Sequence, residues 1–119
     1  MPQENMKMFV RQVDPKVSII DIQGDLSAAA ENALMDAYSQ ASTKTTHVII
    51  LNCTGLAYMN SSGIGLLVTL LVRMNRQKQH LFCYGLSEHY QHIFTLTRLN
   101  DVIKVYNSES EAVAAAALA

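Results

Sequence analysis

Tyr58-Met59-Asn60-Ser61-Ser62-Gly63-Ile64-Gly65-Leu66-Leu67 is the stretch on which the reading of this chain turns. Two adjacent serines stand where a helix begins, and two glycines follow inside its first turn. The run before it, His47-Val48-Ile49-Ile50-Leu51-Asn52, is a continuous apolar strand, the kind buried on both faces of a mostly parallel sheet. Thr54 to Asn60 then reads as the loop leading from that strand into a helix that opens at Ser61 or Ser62 and runs to about Gln77.

Outward from this unit the same alternation continues. Met6 to Val13 and Val17 to Ile22 form two strands joined by the turn chemistry of Asp14-Pro15-Lys16, an opening hairpin that Gly24-Asp25 ends. Ser27 is placed to cap a helix through about Ser39, with Ala30, Leu34, Ala37 and Tyr38 at helical spacing. After the central helix, His80 to Tyr84 is a short apolar strand. Ser87 caps a third helix to about Thr97, with Tyr90, Ile93, Phe94 and Leu96 mostly inward. Val102 to Val105 is a last short strand. Ser108 and Glu111 form a capping box for an alanine-rich helix over about 109–118, which has little bulk to pack with and is expected to fray at its end. The expectation is one domain over 1–119, of α/β class. Its sheet is mixed, mostly parallel after the hairpin, with helices packed mainly on one face.

Composition narrows the function. Half of the 119 residues are hydrophobic, enough for a core without disulfides or metals. The formal net charge is -1, and no Lys- or Arg-rich run is present, which argues against nucleic acid as the main partner. Met1 to Asn5 lack a basic segment leading into an apolar one, so no signal peptide is read. The longest apolar run, Gly63 to Val72, falls short of the roughly 20 residues of a bilayer span. Cys53 and Cys83 end apolar runs and read as buried thiols. The expected location is the cytoplasm.

The serine-glycine segment sits at a helix N-terminus, where unsatisfied N–H groups and a partial positive charge would tolerate a phosphate. Each glycine in a helix costs about 1 kcal/mol against alanine, so two together imply close approach of something to the backbone. The segment lacks the Gly-Lys-Ser/Thr end of a P-loop and the Gly-x-Ser-x-Gly of a nucleophile elbow. On a helical wheel the polar side collects Ser62, Gly65, Thr69, Arg73, Arg76 and Gln77. The core side collects Ile64, Leu67, Val68, Leu71 and Met74. Leu66 falls among the polar set, so an exposed leucine is expected one turn beyond the serines.

The whole chain resembles the STAS domain of bacterial anti-sigma factor antagonists. Asn60-Ser61-Ser62-Gly63-Ile64-Gly65 looks like that family's Asp-Ser-Ser-Gly signature. Leu51-Asn52, Gly24-Asp25-Leu26 and Ile93 to Leu99 support the match. The resemblance implies that Ser61 is phosphorylated by an anti-sigma factor that is also a serine kinase, that phosphorylation releases the partner, and that a serine phosphatase reverses it. Together with the strip read from the helical wheel, it gives an expected partner surface of Asn60, Ser62, Gly63, Gly65, Leu66, Thr69, Arg73 and Ser27. No cofactor is expected, and the chain is expected to be a monomer or weak dimer. Two positions depart from the pattern: Asn60 replaces the usual aspartate, and so does Ser27 after Gly24-Asp25-Leu26.

Other functions have less support. An enzyme needs a base beside a nucleophile, or a metal cluster. His89 and His92 share a helix face without a third ligand, and no acid–base pair is recognisable among Asp25, Glu31 and Asp36. A response-regulator receiver needs acidic residues at strand ends, and the central strand ends in Leu51-Asn52-Cys53. The remaining alternative keeps the fold and changes the job: a non-catalytic binding module or scaffold whose partner is not an anti-sigma factor.

Overall fold

The opening hairpin forms as expected. β1 (Met6–Asp14) runs antiparallel to β2 (Val17–Leu26), and the Lys16 N–H donates to Asp14 Oδ1 at 2.7 Å in the turn between them. The computed structural model describes residues 6–119, so the Met1 to Asn5 segment discussed above lies outside the described residues. β3 (Val48–Met59), β4 (His80–Tyr84) and β5 (Lys104–Tyr106) follow in parallel, and the sheet order is β1-β2-β3-β4-β5.

Alternation along the strands divides the core in two. Ile20, Ile22, Ile49, Leu51, Leu81 and Cys83 point to one face, where α1 (Glu31–Ala41), α2 (Ser61–Arg76) and α3 (Glu88–Leu96) cover them. Val17, Ile19, Val48, Ile50, Phe82 and Tyr84 point to the other, under α4 (Glu109–Ala116). The central strands are therefore buried on both sides, which is why they read as unbroken apolar runs. Three helices on one face and one on the other match the expected mixed α/β sheet.

The alanine-rich helix packs through its lack of bulk. Ala112 and Ala116 are buried against the sheet, and their small side chains let the helix lie close. Ser108 Oγ accepts from the Glu111 N–H at 3.2 Å, while Glu111 Oε1 accepts from the Asn107 N–H, also at 3.2 Å. A charged network anchors the helix start: Arg11 donates to Asp21 at 2.7 and 2.8 Å and to Glu109 at 2.8 Å, and Tyr84 Oη donates to Glu109 at 2.8 Å.

Several expectations shift. β3 runs on through 53–59, where a loop was expected, because β2 also continues past Gly24-Asp25 and pairs with it: Gln23 aligns with Gly55 and Leu26 with Met59. Gly24, at φ 95°, sits at the register shift that permits this. Ser27 makes no side-chain cap bond; a 3-10 turn at Ala28–Ala30 precedes α1 instead. Ser87 does cap α3, accepting from the Tyr90 N–H at 3.4 Å. On that helix Tyr90 and Phe94 are buried, but Leu96 is 69% exposed.

Cys53 and Cys83 are free and buried, and burial pushes the Cys53 thiol up to about 12. Among the described residues no three His, Cys, Asp or Glu side chains are grouped to hold a metal. No helix among them is long and apolar enough to cross a membrane.

Candidate functional site

The start of α2 is held from three directions. Asn60 is extended (φ -103°, ψ -175°), and its side-chain oxygen accepts from the Gly63 N–H at 3.0 Å. Its own N–H donates to the Leu26 carbonyl at 3.4 Å. The preceding Met59 N–H donates to the buried Tyr90 Oη at 2.8 Å, so α3 also ties down the turn. A steric restraint adds to these hydrogen bonds. A Cβ on Gly63 would lie 2.0 Å from the Leu26 carbonyl oxygen, so the helix meets the end of β2 backbone to backbone. The close approach implied by the paired glycines is this contact for Gly63. Gly65 differs: a Cβ there meets nothing within 4 Å, and the position faces open space.

Because Asn60 supplies the cap, neither serine is used for it. Ser61 is the first residue of α2 and Ser62 the second; both are exposed, and among the described residues neither hydroxyl has a protein hydrogen-bond partner. The cap occupies the Gly63 N–H and leaves those of Ser61 and Ser62 outside the helix's own bonding. No acidic residue lies in this first turn. A nucleophilic hydroxyl, free amide donors and the positive end of a 16-residue helix therefore coincide.

Leu66 is not exposed. It is 8% exposed and joins Gly63, Leu67, Leu70 and Met74 on the buried face. Val68, assigned to the core on the wheel, is 44% exposed, and Val72 is 47% exposed. Gly63 explains the error. Counted as neutral, it leaves the leucines and valines to orient the wheel; as the contact point with Leu26 it must face inward, and the helix turns about it. The outward strip runs Ser61, Gly65, Val68, Thr69 and Val72, with Tyr58 exposed just before the helix. Val68, Val72 and Tyr58 are the surface residues missed from sequence.

The remaining expected positions fall near this strip, with one buried exception. Asn60 is half-buried at the cap. Ser27 is half-buried directly after Leu26, whose strand partner is Met59. Thr69 is exposed, and its hydroxyl donates to the Gly65 carbonyl at 3.0 Å. Arg73 is exposed further along α2, with its guanidinium 4.9 Å from the Tyr38 ring centroid. Gly63 is buried and serves packing.

Comparison with known proteins follows the same lines. The family model described as STAS domain matches residues 8–112. An anti-sigma-B factor antagonist of Listeria monocytogenes is 25% identical over 107 residues, covering 90% of this chain and 94% of that protein. An anti-sigma factor antagonist from Mycobacterium paratuberculosis has a similar structure, with TM-score 0.79, 15% identity and 93% coverage of both chains. The Bacillus cell fate determinant SpoIIAA in its phosphorylated form superposes with TM-score 0.68 at 21% identity, covering 90% of this chain and 96% of that one.

Proposed function

The chain belongs to the STAS domain family, and we propose that it is an anti-sigma factor antagonist whose partner is an anti-sigma factor with serine kinase activity. In this reading the unmodified protein docks on the kinase through the N-terminus and outward strip of α2. The kinase transfers the γ-phosphoryl group of ATP to Ser61 Oγ, a base on the kinase takes the hydroxyl proton, and ADP leaves. The phosphorylated protein dissociates, and a serine phosphatase hydrolyses the ester and restores the binding form. Transcription is regulated indirectly, through the sigma factor that the kinase releases.

The observation that carries the reading is the position of Ser61: exposed, unbonded and first in the helix, because Asn60 has taken over the cap. A phosphate there adds about -1.5 to -2 charge at pH 7. Free N–H groups of the first turn can solvate it, so the fold is preserved. Beside Val68 and Val72 in a closed interface the same charge is repelled and desolvated. Moving an equilibrium from mostly bound to mostly free takes about 5.5 kcal/mol of differential affinity, and a dianion buried at an interface is of that order. Asn60 keeps the cap without the negative charge of the usual aspartate. That eases a phosphate one residue away.

The test is phosphopeptide mapping of the protein from its native cells, paired with binding of Ser61→Ala and Ser61→Asp to the kinase partner. Phosphate on Ser61, tight binding by Ser61→Ala and weak binding by Ser61→Asp are expected. Equal dissociation constants for the two variants would sink the switch and favour a constitutive binding module.

A further inference from the structure

At the far end of α2, about 18 Å along the helix axis from Ser61, Arg73 and Arg76 face the last turn of α1 across an open cavity of about 360 Å³. Tyr38, Ser39, Ser42 and Gln77 complete its walls. Among the described residues, neither arginine has a carboxylate oxygen within 4.0 Å. Arg73 is held by groups that leave its charge uncompensated: the Tyr38 ring lies beneath the guanidinium, and Nη1 donates at 3.3 Å to the thioether of Met35, a weak acceptor.

Arginines at a helix C-terminus commonly answer its free carbonyls. Here two of those carbonyls are already engaged, and neither arginine side chain donates to a main-chain carbonyl among the described residues. Met74 O accepts from the N–H groups of Gln77 and Gln79 at 3.0 and 2.9 Å, and Asn75 O from Lys78 at 3.1 Å. Across the cavity, Tyr38 O accepts from the Ser42 N–H at 2.8 Å, and Ala41 O from Ser18 Oγ at 2.9 Å. The arginine donors remain available to something else.

A buried relay orients the opposite wall. Gln79 is 5% exposed; its Oε1 accepts from Tyr38 Oη at 2.8 Å, and its Nε2 donates to Ser42 Oγ at 2.8 Å. Ser42 therefore accepts from within the fold and keeps its hydroxyl hydrogen for the cavity. Two guanidiniums and a hydroxyl set to donate, with Ser39 and Gln77 beside them, suit a ligand that is all acceptor. We propose that this cavity is an oxyanion site that takes phosphate or the phosphoryl head of a small phosphomonoester. Its ligand sits on the same helix as Ser61 but away from the serine.

The experiment is a titration of the full chain, labelled with nitrogen-15, with inorganic phosphate and separately with glycerol 3-phosphate at constant ionic strength. Saturable amide shifts centred on Ser39, Ser42, Arg73, Arg76 and Gln77 are expected. Arg76→Gln should weaken binding about tenfold, the loss of a charge-assisted bond, and Ser42→Ala by less. Arg76 is exposed, so an otherwise unchanged spectrum verifies that its variant is folded. Tighter binding of the free anion identifies phosphate as the ligand; tighter binding of the ester identifies a phosphorylated metabolite. Shifts that grow linearly without saturating, or an unchanged dissociation constant in Arg76→Gln and Arg73→Gln, would overturn the proposal.

Discussion

Gly63 and Leu26 meet backbone to backbone, with no room for a methyl group between the glycine Cα and the leucine carbonyl oxygen. This contact joins the end of β2 to the first turn of α2 and sets the position of Ser61 two residues earlier.

Gly63→Ala is therefore expected to destabilise the domain by about 2 kcal/mol or more, since the neighbour is main chain and cannot turn aside. Gly65→Ala has open space for its Cβ. It should stabilise the free domain by up to about 1 kcal/mol through helix propensity. Denaturant unfolding of the two variants checks the pair; equal effects would mean that the contact with Leu26 is not what Gly63 serves. Partner binding should fall in Gly65→Ala despite its stability, if α2 meets its partner along the outward strip.

The rotation of α2 predicts opposite behaviour for two neighbouring apolar residues. Leu66→Ala removes a buried side chain and should cost about 2–4 kcal/mol of stability. Val68→Asp, at a position 44% exposed, should leave the unfolding free energy within about 0.5 kcal/mol of the parent and weaken binding to the proposed kinase partner instead. A large stability loss in Val68→Asp would contradict the buried face assigned here.

Asn60 is asked to do the capping that a serine or aspartate commonly does. Asn60→Ala should cost about 1 kcal/mol and loosen the turn around Ser61. Asn60→Asp should retain the stability, since a carboxylate also accepts from the Gly63 N–H and suits the helix dipole. Thermal melts of the three proteins separate these outcomes.

Acid stability should report the network that anchors α4. Arg11 hydrogen bonds lower the carboxyl of Asp21, helped by Asn52 and opposed by partial burial. Arg11 likewise lowers Glu109, with Tyr84 adding to the effect. Folded values below unfolded ones mean that this stabilisation is present above the ordinary carboxylate range, near pH 4, and is lost as pH falls through the lowered values. Arg11→Gln should flatten that acid limb and cost on the order of 1 kcal/mol near neutrality, because the partly exposed pairs are screened by solvent. The gap between the unfolding free energies of the two proteins should narrow as pH is lowered from 7 through the carboxylate range.

Much of the fold was legible because its signals are local. The apolar runs at Val48 to Leu51 and Leu81 to Tyr84, the turn at Asp14-Pro15-Lys16, and the caps at Ser87 and Ser108 depend on residues within a few positions of one another. The site was legible to the same extent: two serines opening a helix after a buried strand could be placed without knowing what lies beside them. Less visible were the features that depend on a distant partner. Thr54 to Tyr58 carry no strong strand pattern and are extended because Gln23 to Leu26 offer a free edge to pair with. Ala112 and Ala116 look too small to pack, and they pack because the sheet beneath them supplies the bulk.

The sequence by itself determined the order of strands and helices and the location of Ser61 at the start of α2, since both follow from periodicity and turn chemistry along the chain. Only the tertiary structure decided which side of α2 faces outward. That side depends on Gly63 lying against the Leu26 carbonyl, 37 residues away in sequence, and a residue without a side chain carries no hydropathy from which to read its own burial.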